Sequence, residues 1–415
     1  MRYQISRVLK REQVMKLTAG NCSRPKNVLG RHLLEHGQVI AAFHPEAVRM
    51  TLCIENGEEY PMDMVERQPV FALFLPCRQA FSYQIVMEYG DGKQMVIDDP
   101  YSFDCQITGK EEAKFLQGKW PEAYCKLGAH PMTVGGTEGA YFALWMPGVK
   151  RVSVLGSFNQ WDSAMYPMNR MENAEIYELF LPGVKEGEDY CFEIKTMQDR
   201  IFRIADPFGL AKEPGVKNIS KILNIHVLPW MDDVWMANRR SRNGGSGSMV
   251  IGMMAEDTKG MDDFLQETCT HILISQQKRE NMGCREAILG QYFLPPFCVD
   301  SPKDFHSMIE KAHQRGVGVL MEIFWDSLGV VCGEMTNFLL SSLMFWVREY
   351  HVDGFLFRDI RRTAEGKTEV AGKTDLHKEQ EDSSLAAARN TGTEVLKQAV
   401  CMLRREDKGI LFVRG

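Results

Sequence analysis

The chain has 415 residues and a formal net charge of −6, with 44% hydrophobic and 25% charged residues. This length and composition predict a folded protein of two to three domains. The acidic balance excludes the usual basic kind of nucleic-acid binder. A membrane protein is excluded as well, because no apolar run approaches the ~20 residues of a membrane span.

Cysteine usage points to a reducing compartment. The 11 cysteines are scattered along the chain, and none of them forms a Cys-x-x-Cys pair. Such spacing predicts free, buried thiols rather than disulfides or a zinc site. We therefore expect a cytoplasmic protein with no metal site and no cofactor.

The first half of the chain contains an internal repeat. Its matched pairs, at offsets that grow from 102 to 107 residues, are Phe43–Leu52 with Trp145–Val154, Phe71–Pro76 with Tyr177–Pro182, Tyr83 with Tyr190, and Asp99–Tyr101 with Asp206–Phe208. Short alternating segments such as Val152–Leu155 and Tyr190–Ile194 are separated by turn residues. This spacing predicts two β-sandwiches in tandem.

The pattern changes after 239–248, whose Arg, Ser and Gly composition predicts a flexible linker. Ser301-Pro302 then begins a helix, and the apolar run Val317–Phe324 predicts a strand buried on both faces. A helix at 336–350 and the strand Gly354–Arg358 follow, so this part is a parallel α/β unit. The polar stretch 364–384 is predicted to be a mobile loop.

Several motifs together resemble the glycogen branching enzymes of the α-amylase superfamily. They are Leu127–Pro131 after Asp99–Tyr101 and Trp120, the stretch Val152–Asp162, and, in the α/β part, Ala312–Val319 and Tyr350–Phe355. The resemblance implies a multidomain fold of two all-β immunoglobulin-like sandwiches followed by an incomplete α/β (TIM-type β/α) barrel.

We assign the branching-enzyme amino-terminal sandwich to 25–125 and a carbohydrate-binding sandwich to 126–238, followed by the linker at 239–248. The partial barrel, about strands one to five, takes 249–415. Its 167 residues fall short of the ~250 that a complete barrel typically needs.

The resemblance also shows where catalytic carboxylates should stand, because the family retains anomeric configuration through paired carboxyl groups. Its fourth strand reads Asp-Gly-(Leu/Phe)-Arg-x-Asp, whereas this chain has Leu356 for the Arg and Arg358 in the nucleophile's place. Asp359 comes one residue late, and a shift of one turns a strand side chain to the opposite face. We therefore expect capping or ion pairing from Asp359 rather than catalysis.

Two further positions depart from the family in the same way. Ser327 stands where a sugar-holding His belongs, and Arg414 or Gly415 stands where the acid/base Glu belongs. Glu322 keeps an acid on the third strand, and Trp325 is interpreted as a core or barrel-mouth aromatic. We therefore predict no catalytic residues in this chain.

Glucan binding by the second sandwich is the family property whose expected residues are largely present. The resemblance places Trp161 and Asn159 in the family's glucan site and matches Asn218 to a second sugar-contacting amide, while Cys191 replaces a Lys. The alternative is that Trp161 only packs the module onto its neighbour. His130, His313 and His351 are interpreted as structural; the last two are placed on helices.

The function predicted from these features is a non-catalytic α-glucan (glycogen)-binding protein, a scaffold or regulator in glycogen metabolism. An active 1,4-α-glucan branching enzyme and a fragment of a split branching enzyme are the alternatives. Open sheet edges usually have to be covered, so a homodimer or a complex with enzymes of glycogen metabolism is the expected assembly. Neither nucleic acid nor membrane is an expected partner.

Overall fold

The computed structural model describes residues 2–212, 216, 218–224, 229–243, 251–253, 269–275, 292–295, 301–324, 333–358, 360–362, 368–370, 395 and 397–414. The chain divides into two compact units. The first comprises Met1–Thr108, Lys126–Asp206 and Glu213–Leu223, and the second comprises Gly109–Cys125, Pro207–Lys212 and Asn224–Gly415.

The first sandwich of the first unit consists of two four-stranded sheets. Its strands are β1 (Gly30–Leu34), β2 (Gly37–Phe43), β3 (Ala47–Ile54), β4 (Glu59–Pro61), β5 (Asp63–Met64), β6 (Val70–Leu75), β7 (Tyr83–Tyr89) and β8 (Gln94–Asp98). The sheet orders are β1-β2-β6-β5 and β4-β3-β7-β8. Ile40 and Leu73 of one sheet share a core with Met50 and Ile85 of the other, so the predicted sandwich is confirmed.

The second sandwich repeats this plan. Its strands are β9 (Gly128–Val134), β10 (Thr137–Trp145), β11 (Val149–Gly156), β12 (Asn169–Arg170), β13 (Ile176–Pro182), β14 (Asp189–Thr196) and β15 (Ile201–Ile204), followed by β16 (Ala211–Lys212, part of the second unit) and β17 (Ser220–Lys221). One sheet is β12-β13-β10-β9; in the other, β14 pairs with β11, β15 and β17. Helix α1 (Arg2–Val8) adds Ile5 to its core, and helix α2 (Arg11–Thr18) adds Val14 and Leu17.

The second unit is built on a parallel sheet. Its helices are α3 (Gly109–Leu116), α4 (Asp233–Asn243), α5 (Pro302–Gln314) and α6 (Gly333–Glu349), with a further helical segment at 397–406. Its strands are β18 (Ile251–Met253), β19 (His271–Ser275), β20 (Gly318–Phe324), β21 (Gly354–Arg358), β22 (Ile360–Arg362), β23 (Thr368–Val370) and β24 (Leu411–Arg414). The order β18-β19-β20-β21-β24 confirms the predicted parallel α/β arrangement.

Segment 109–125, which we assigned to the first sandwich domain, joins the second unit instead. The backbone N–H of Trp120 donates to Asn337 Oδ1 at 2.6 Å, and the Tyr124 hydroxyl donates to Glu349 Oε1 at 2.7 Å. Both acceptors lie on α6 or its end. These polar contacts attach the segment to the α/β unit rather than to the strands that precede it in sequence.

The predicted linker at 239–248 is wrong at its beginning. Arg239 lies inside α4, its side chain is 1% exposed, and its Nε donates to Asp407 Oδ2 at 2.8 Å. The polar composition predicts flexibility, but the charge of Arg239 is paired with Asp407 inside the unit. Residues 244–248 lie outside the described part of the chain.

The predicted mobile loop at 364–384 lies outside the described residues except for Thr368–Val370. These three residues form β23, which pairs with β22 in an antiparallel ladder. For this short segment the prediction is therefore wrong.

The cysteines follow the prediction only in part. Among the described residues, Cys22 and Cys191 are free and buried, whereas four free cysteines are exposed: Cys77, Cys105, Cys125 and Cys401. Burial of the thiols was thus overestimated. No helix in the described part of the chain is both long and apolar enough to cross a membrane.

Candidate functional site

The turn after β11 is organised by the buried side chain of Asn159, which is 1% exposed. Its Oδ1 accepts the Gly156 N–H at 2.9 Å, and its Nδ2 donates to the carbonyls of Val154 at 3.1 Å and Asp162 at 3.0 Å. Both polar atoms of the amide are therefore used within the turn. The predicted contact of Asn159 with a sugar is not open to it in this conformation, and its role is to hold the turn.

Gly156 makes room for this turn. A Cβ at this position would lie 2.3 Å from Phe158 Cε1 and 2.5 Å from the carbonyl oxygen of Asp189. The backbone of Gly156 is extended, with φ −170°, so that space rather than conformational freedom requires glycine here. The turn is thus packed directly against the neighbouring strand β14.

Trp161 leaves the turn in an uncommon backbone conformation. Gln160 has φ 53° and Trp161 has φ 63°, and the Trp161 N–H donates to the Gly156 carbonyl at 3.0 Å. For residues other than glycine the left-handed region costs on the order of 1–2 kcal/mol each. Such strain persists only where the surroundings enforce it, and it is concentrated at functional sites. The buried Asn159 amide supplies that enforcement here.

The two aromatic side chains of the turn take different positions. The Phe158 ring lies 5.8 Å from that of Phe142 and 6.4 Å from that of Tyr166, and so packs toward the sandwich core. Trp161 is half-buried and Gln160 is exposed. The turn therefore carries one ring for the core and one at the surface, where a flat partner could stack on it.

Asn218 lies in a second turn, two residues before the start of β17. Its side chain is exposed and its φ is 62°. Gly156 pairs with Tyr190 and Tyr190 pairs with Ser220, so Gly156 and Ser220 lie two strand spacings apart, roughly 10 Å. The two predicted sugar-contacting turns thus leave the same region of one sheet.

Cys191, the replacement for a Lys, lies on β14 between these turns. It is 2% exposed, and burial raises the pKa of its thiol to about 11. A neutral, buried thiol offers no donor at the surface. Cys191 therefore does not replace the surface amine of a Lys at this position.

The ends of β20, β21 and β24 lie side by side in the parallel sheet. The backbone of Phe324 pairs with Arg358, and Phe357 pairs with Arg414. The predicted nucleophile position is therefore the last residue of a central strand. Asp359, Ser327, Trp325 and Gly415 lie outside the described residues, so their predicted roles stay predictions.

The predicted structural histidines occupy polar, packed positions. The ring Nε2 of His130 is hydrogen-bonded to the Leu127 carbonyl at 3.0 Å. His313 lies on α5 and is buried, whereas His351 follows the end of α6 with φ 53°, so its placement on a helix is wrong. In the described ranges, no group of three or more His, Cys, Asp or Glu side chains could hold a metal ion.

Comparisons with known proteins match both sandwiches. The profile of the alpha-1,4-glucan branching enzyme GlgB N-terminal domain matches residues 10–101, and that of carbohydrate-binding module 48 (isoamylase N-terminal domain) matches residues 126–209. The chain is 29% identical over 424 residues to 1,4-alpha-glucan branching enzyme GlgB of Thermosynechococcus vestitus, covering 83% of this chain and 55% of that protein. Over most of its length the chain is therefore similar to glycogen branching enzymes, and its two sandwiches match two modules by family model.

A second branching enzyme GlgB, from Paramagnetospirillum magneticum, is 26% identical over 460 residues, covering 97% of this chain and 60% of that protein. This chain thus spans little more than half the length of the curated relatives it matches. A solved pullulanase from Anoxybacillus sp. LM18-11, complexed with maltotriose, matches 93% of this chain and 62% of that one with a TM-score of 0.45 and 12% identity. A likeness of this size adds nothing to the assignment.

Proposed function

We propose that this chain is a non-catalytic α-glucan-binding protein that acts in glycogen metabolism as a scaffold or regulator in the cytoplasm. The observation that carries the proposal is the turn of the second sandwich. The buried amide of Asn159 and the tightly packed Gly156 hold Trp161 partly exposed in a strained backbone conformation. The match of this module to carbohydrate-binding module 48 makes an α-glucan the proposed ligand.

The division of work within the site follows from its geometry. Trp161 would stack against a glucosyl ring, because sugar rings present flat C–H faces to aromatic side chains. Asn218, exposed in the neighbouring turn, would hydrogen-bond a sugar hydroxyl. Asn159 would act only by positioning, since both ends of its amide are already bonded.

We propose that the chain is not catalytic because arginines, rather than carboxylates, stand at the ends of two strands of the parallel sheet. Arg358 ends β21, where the resemblance puts the nucleophile, and Arg414 ends β24 near the acid/base position. A guanidinium cannot attack an anomeric carbon and would oppose the positive charge of the transition state. We further propose that the sheet β18-β19-β20-β21-β24 is part of an incomplete α-amylase-type barrel whose edges are covered by a second copy or another enzyme of glycogen metabolism.

Affinity electrophoresis in gels containing glycogen tests the binding proposal. The wild-type chain should be retarded by glycogen, and Trp161→Ala should remove most of this retardation. Phe202→Ala is the matched control, because Phe202 is a 42% exposed aromatic residue on β15 of the same module. Mobility that is unchanged by glycogen, or equal retardation of the Trp161 variant, would mean that Trp161 only packs the module.

A further inference from the structure

A buried imidazole joins the segment that follows the second sandwich to the α/β unit. Nδ1 of His313 lies 2.7 Å from Asp232 Oδ2, and its Nε2 lies 2.9 Å from Asp353 Oδ2. The side chains of His313 and Asp353 are 0% exposed and that of Asp232 is 1% exposed. One ring thus bridges two carboxylates that lie in different parts of the chain.

Both ring nitrogens must donate in this arrangement. A carboxylate only accepts, and a neutral imidazole has a single N–H, so bonding both carboxylates requires the imidazolium. Asp353 Oδ2 also accepts the Val319 N–H at 2.8 Å, which keeps that carboxylate in place. If the proton leaves, a nitrogen lone pair faces a carboxylate oxygen at less than 3 Å in a site that is closed to the protein surface.

The segment that carries Asp232 makes further contacts with the same unit; we call residues 229–239 the strap. Trp235 Nε1 donates to Asp353 Oδ1 at 2.8 Å, and its ring stacks on His313 at 4.7 Å and 12°. Trp230 lies between two imidazoles, 3.9 Å from His306 and 4.1 Å from His351. Every one of these contacts lies within the second unit.

The charged and titratable groups around His313 come from several elements. They are Asp232 and Arg239 of the strap, Asp353 and His351 before β21, His271 of β19, Asp407 after the helical segment 397–406, and His306 and Glu310 on α5 itself. Burial alone would lower the pKa of His313, but the bonds to Asp232 and Asp353 outweigh it and raise the pKa. Burial lowers the pKa of His306, which is therefore the more easily neutralised of the two.

We propose that the strap is a proton-controlled latch: it is held on the α/β unit while His313 carries two N–H groups and is loosened when one of them is lost. The sign follows from the geometry, since the bridging contacts exist only in the protonated state. The strap should therefore be most firmly attached at acidic and neutral pH and should loosen as the pH rises. This latch does not depend on glucan binding.

Hydrogen exchange of the full chain between pH 6 and 9.5, corrected for intrinsic rates, tests the latch. Protection of peptides covering 233–239 should fall at least tenfold across this range in the wild type. In His313→Gln the protection should be low at all pH values, without a step. In Asp232→Asn the step at the wild-type pH should be gone, because one of the two carboxylates that favour the imidazolium has been removed.

The controls separate loosening of the strap from general unfolding. Exchange of β6 and β13 in the same samples reports whether the first and the second sandwich remain folded. His36→Gln alters an exposed histidine and should keep the wild-type step. Protection that is flat with pH in the wild type, or a step at unchanged pH in Asp232→Asn, would overturn the proposal.

Discussion

The Tyr83 hydroxyl donates a 2.7 Å hydrogen bond to the buried carboxylate of Asp99. The second sandwich contains the same pair, in which Tyr190 donates to Asp206 at 2.6 Å. Each tyrosine precedes its aspartate by 16 residues. The repeat read from the sequence is therefore a repeat of a buried polar contact as well as of strands, and it joins β7 and β14 to the segments that close each sandwich.

The first prediction concerns the pH dependence of the Asp99 pair. Burial raises the pKa of Asp99 from 3.8 to about 6, against the opposing effect of the bond from Tyr83. Between pH 7 and pH 4 the folded chain takes up a proton that the unfolded chain does not, so its stability increases as the pH falls. A difference of about two pKa units corresponds to about 3 kcal/mol.

Urea unfolding of the full chain at pH 4, 5.5 and 7, followed at the transition of the first sandwich, measures this effect. Asp99→Asn should lose the part of the pH dependence that arises from this carboxyl group. Compared with the wild type, the variant should therefore be more stable at pH 7 than it is at pH 4. Asp63→Asn, at an exposed position, should retain the wild-type profile. An unchanged profile in Asp99→Asn would contradict the account of this pair.

The second prediction concerns space at Gly156. Gly156→Ala places a methyl group against the Phe158 ring and the Asp189 carbonyl, and overpacking of this kind costs about 1–3 kcal/mol. Gly109→Ala is the control, since nothing lies within 4 Å of its Cβ position. Thermal unfolding compares the two variants, and equal transition temperatures would show that the turn yields easily.

The third prediction tests the turn-holding role of Asn159. Asn159→Asp keeps the shape but removes the two donors to the carbonyls of Val154 and Asp162, so we expect a loss of about 2–3 kcal/mol. Asn56→Asp is the control for the same substitution at an exposed hairpin position, where water can replace the lost amide contact and the loss of stability should be smaller. Chemical denaturation measures both variants. A stable Asn159→Asp protein would mean that other contacts hold the turn.

The fourth prediction concerns the strap. Trp235→Phe keeps an aromatic ring beside His313 but removes the Nε1–H bond to Asp353, a hydrogen bond to a charged group worth about 1.5–3 kcal/mol. The corresponding change Trp161→Phe, at a half-exposed position, should alter stability by less than about 0.5 kcal/mol. Calorimetry of the full chain distinguishes the two variants. If Trp235→Phe leaves the free energy of unfolding unchanged, the Nε1–H bond to Asp353 does not stabilise the protein.

The sequence was informative where contacts follow chain order. Alternating strands, the repeat and the helix capped by Ser301 were all predictable, and the Ser301 hydroxyl does accept the Asp304 N–H at 3.1 Å. Each of these signals depends on residues a few positions apart. The family resemblance then identified the turn that carries Trp161.

The remaining features depend on long-range contacts that no local pattern reveals. His313 meets Asp232 across 81 residues and Asp353 across 40. Local composition predicts a linker at Arg239, because its partner Asp407 lies 168 residues further along the chain. The sequence alone predicts a sugar contact for Asn159, since it does not distinguish a buried polar side chain from an exposed one.

The most direct test of binding without catalysis is to measure glycogen retention and branching on one purified sample of the full chain. Branching of amylose lowers its iodine absorbance. Glycogen should retard the chain in the gel through Trp161, while the iodine absorbance of amylose should stay constant during incubation. A clear fall in that absorbance, or mobility unaffected by glycogen, would contradict binding without catalysis.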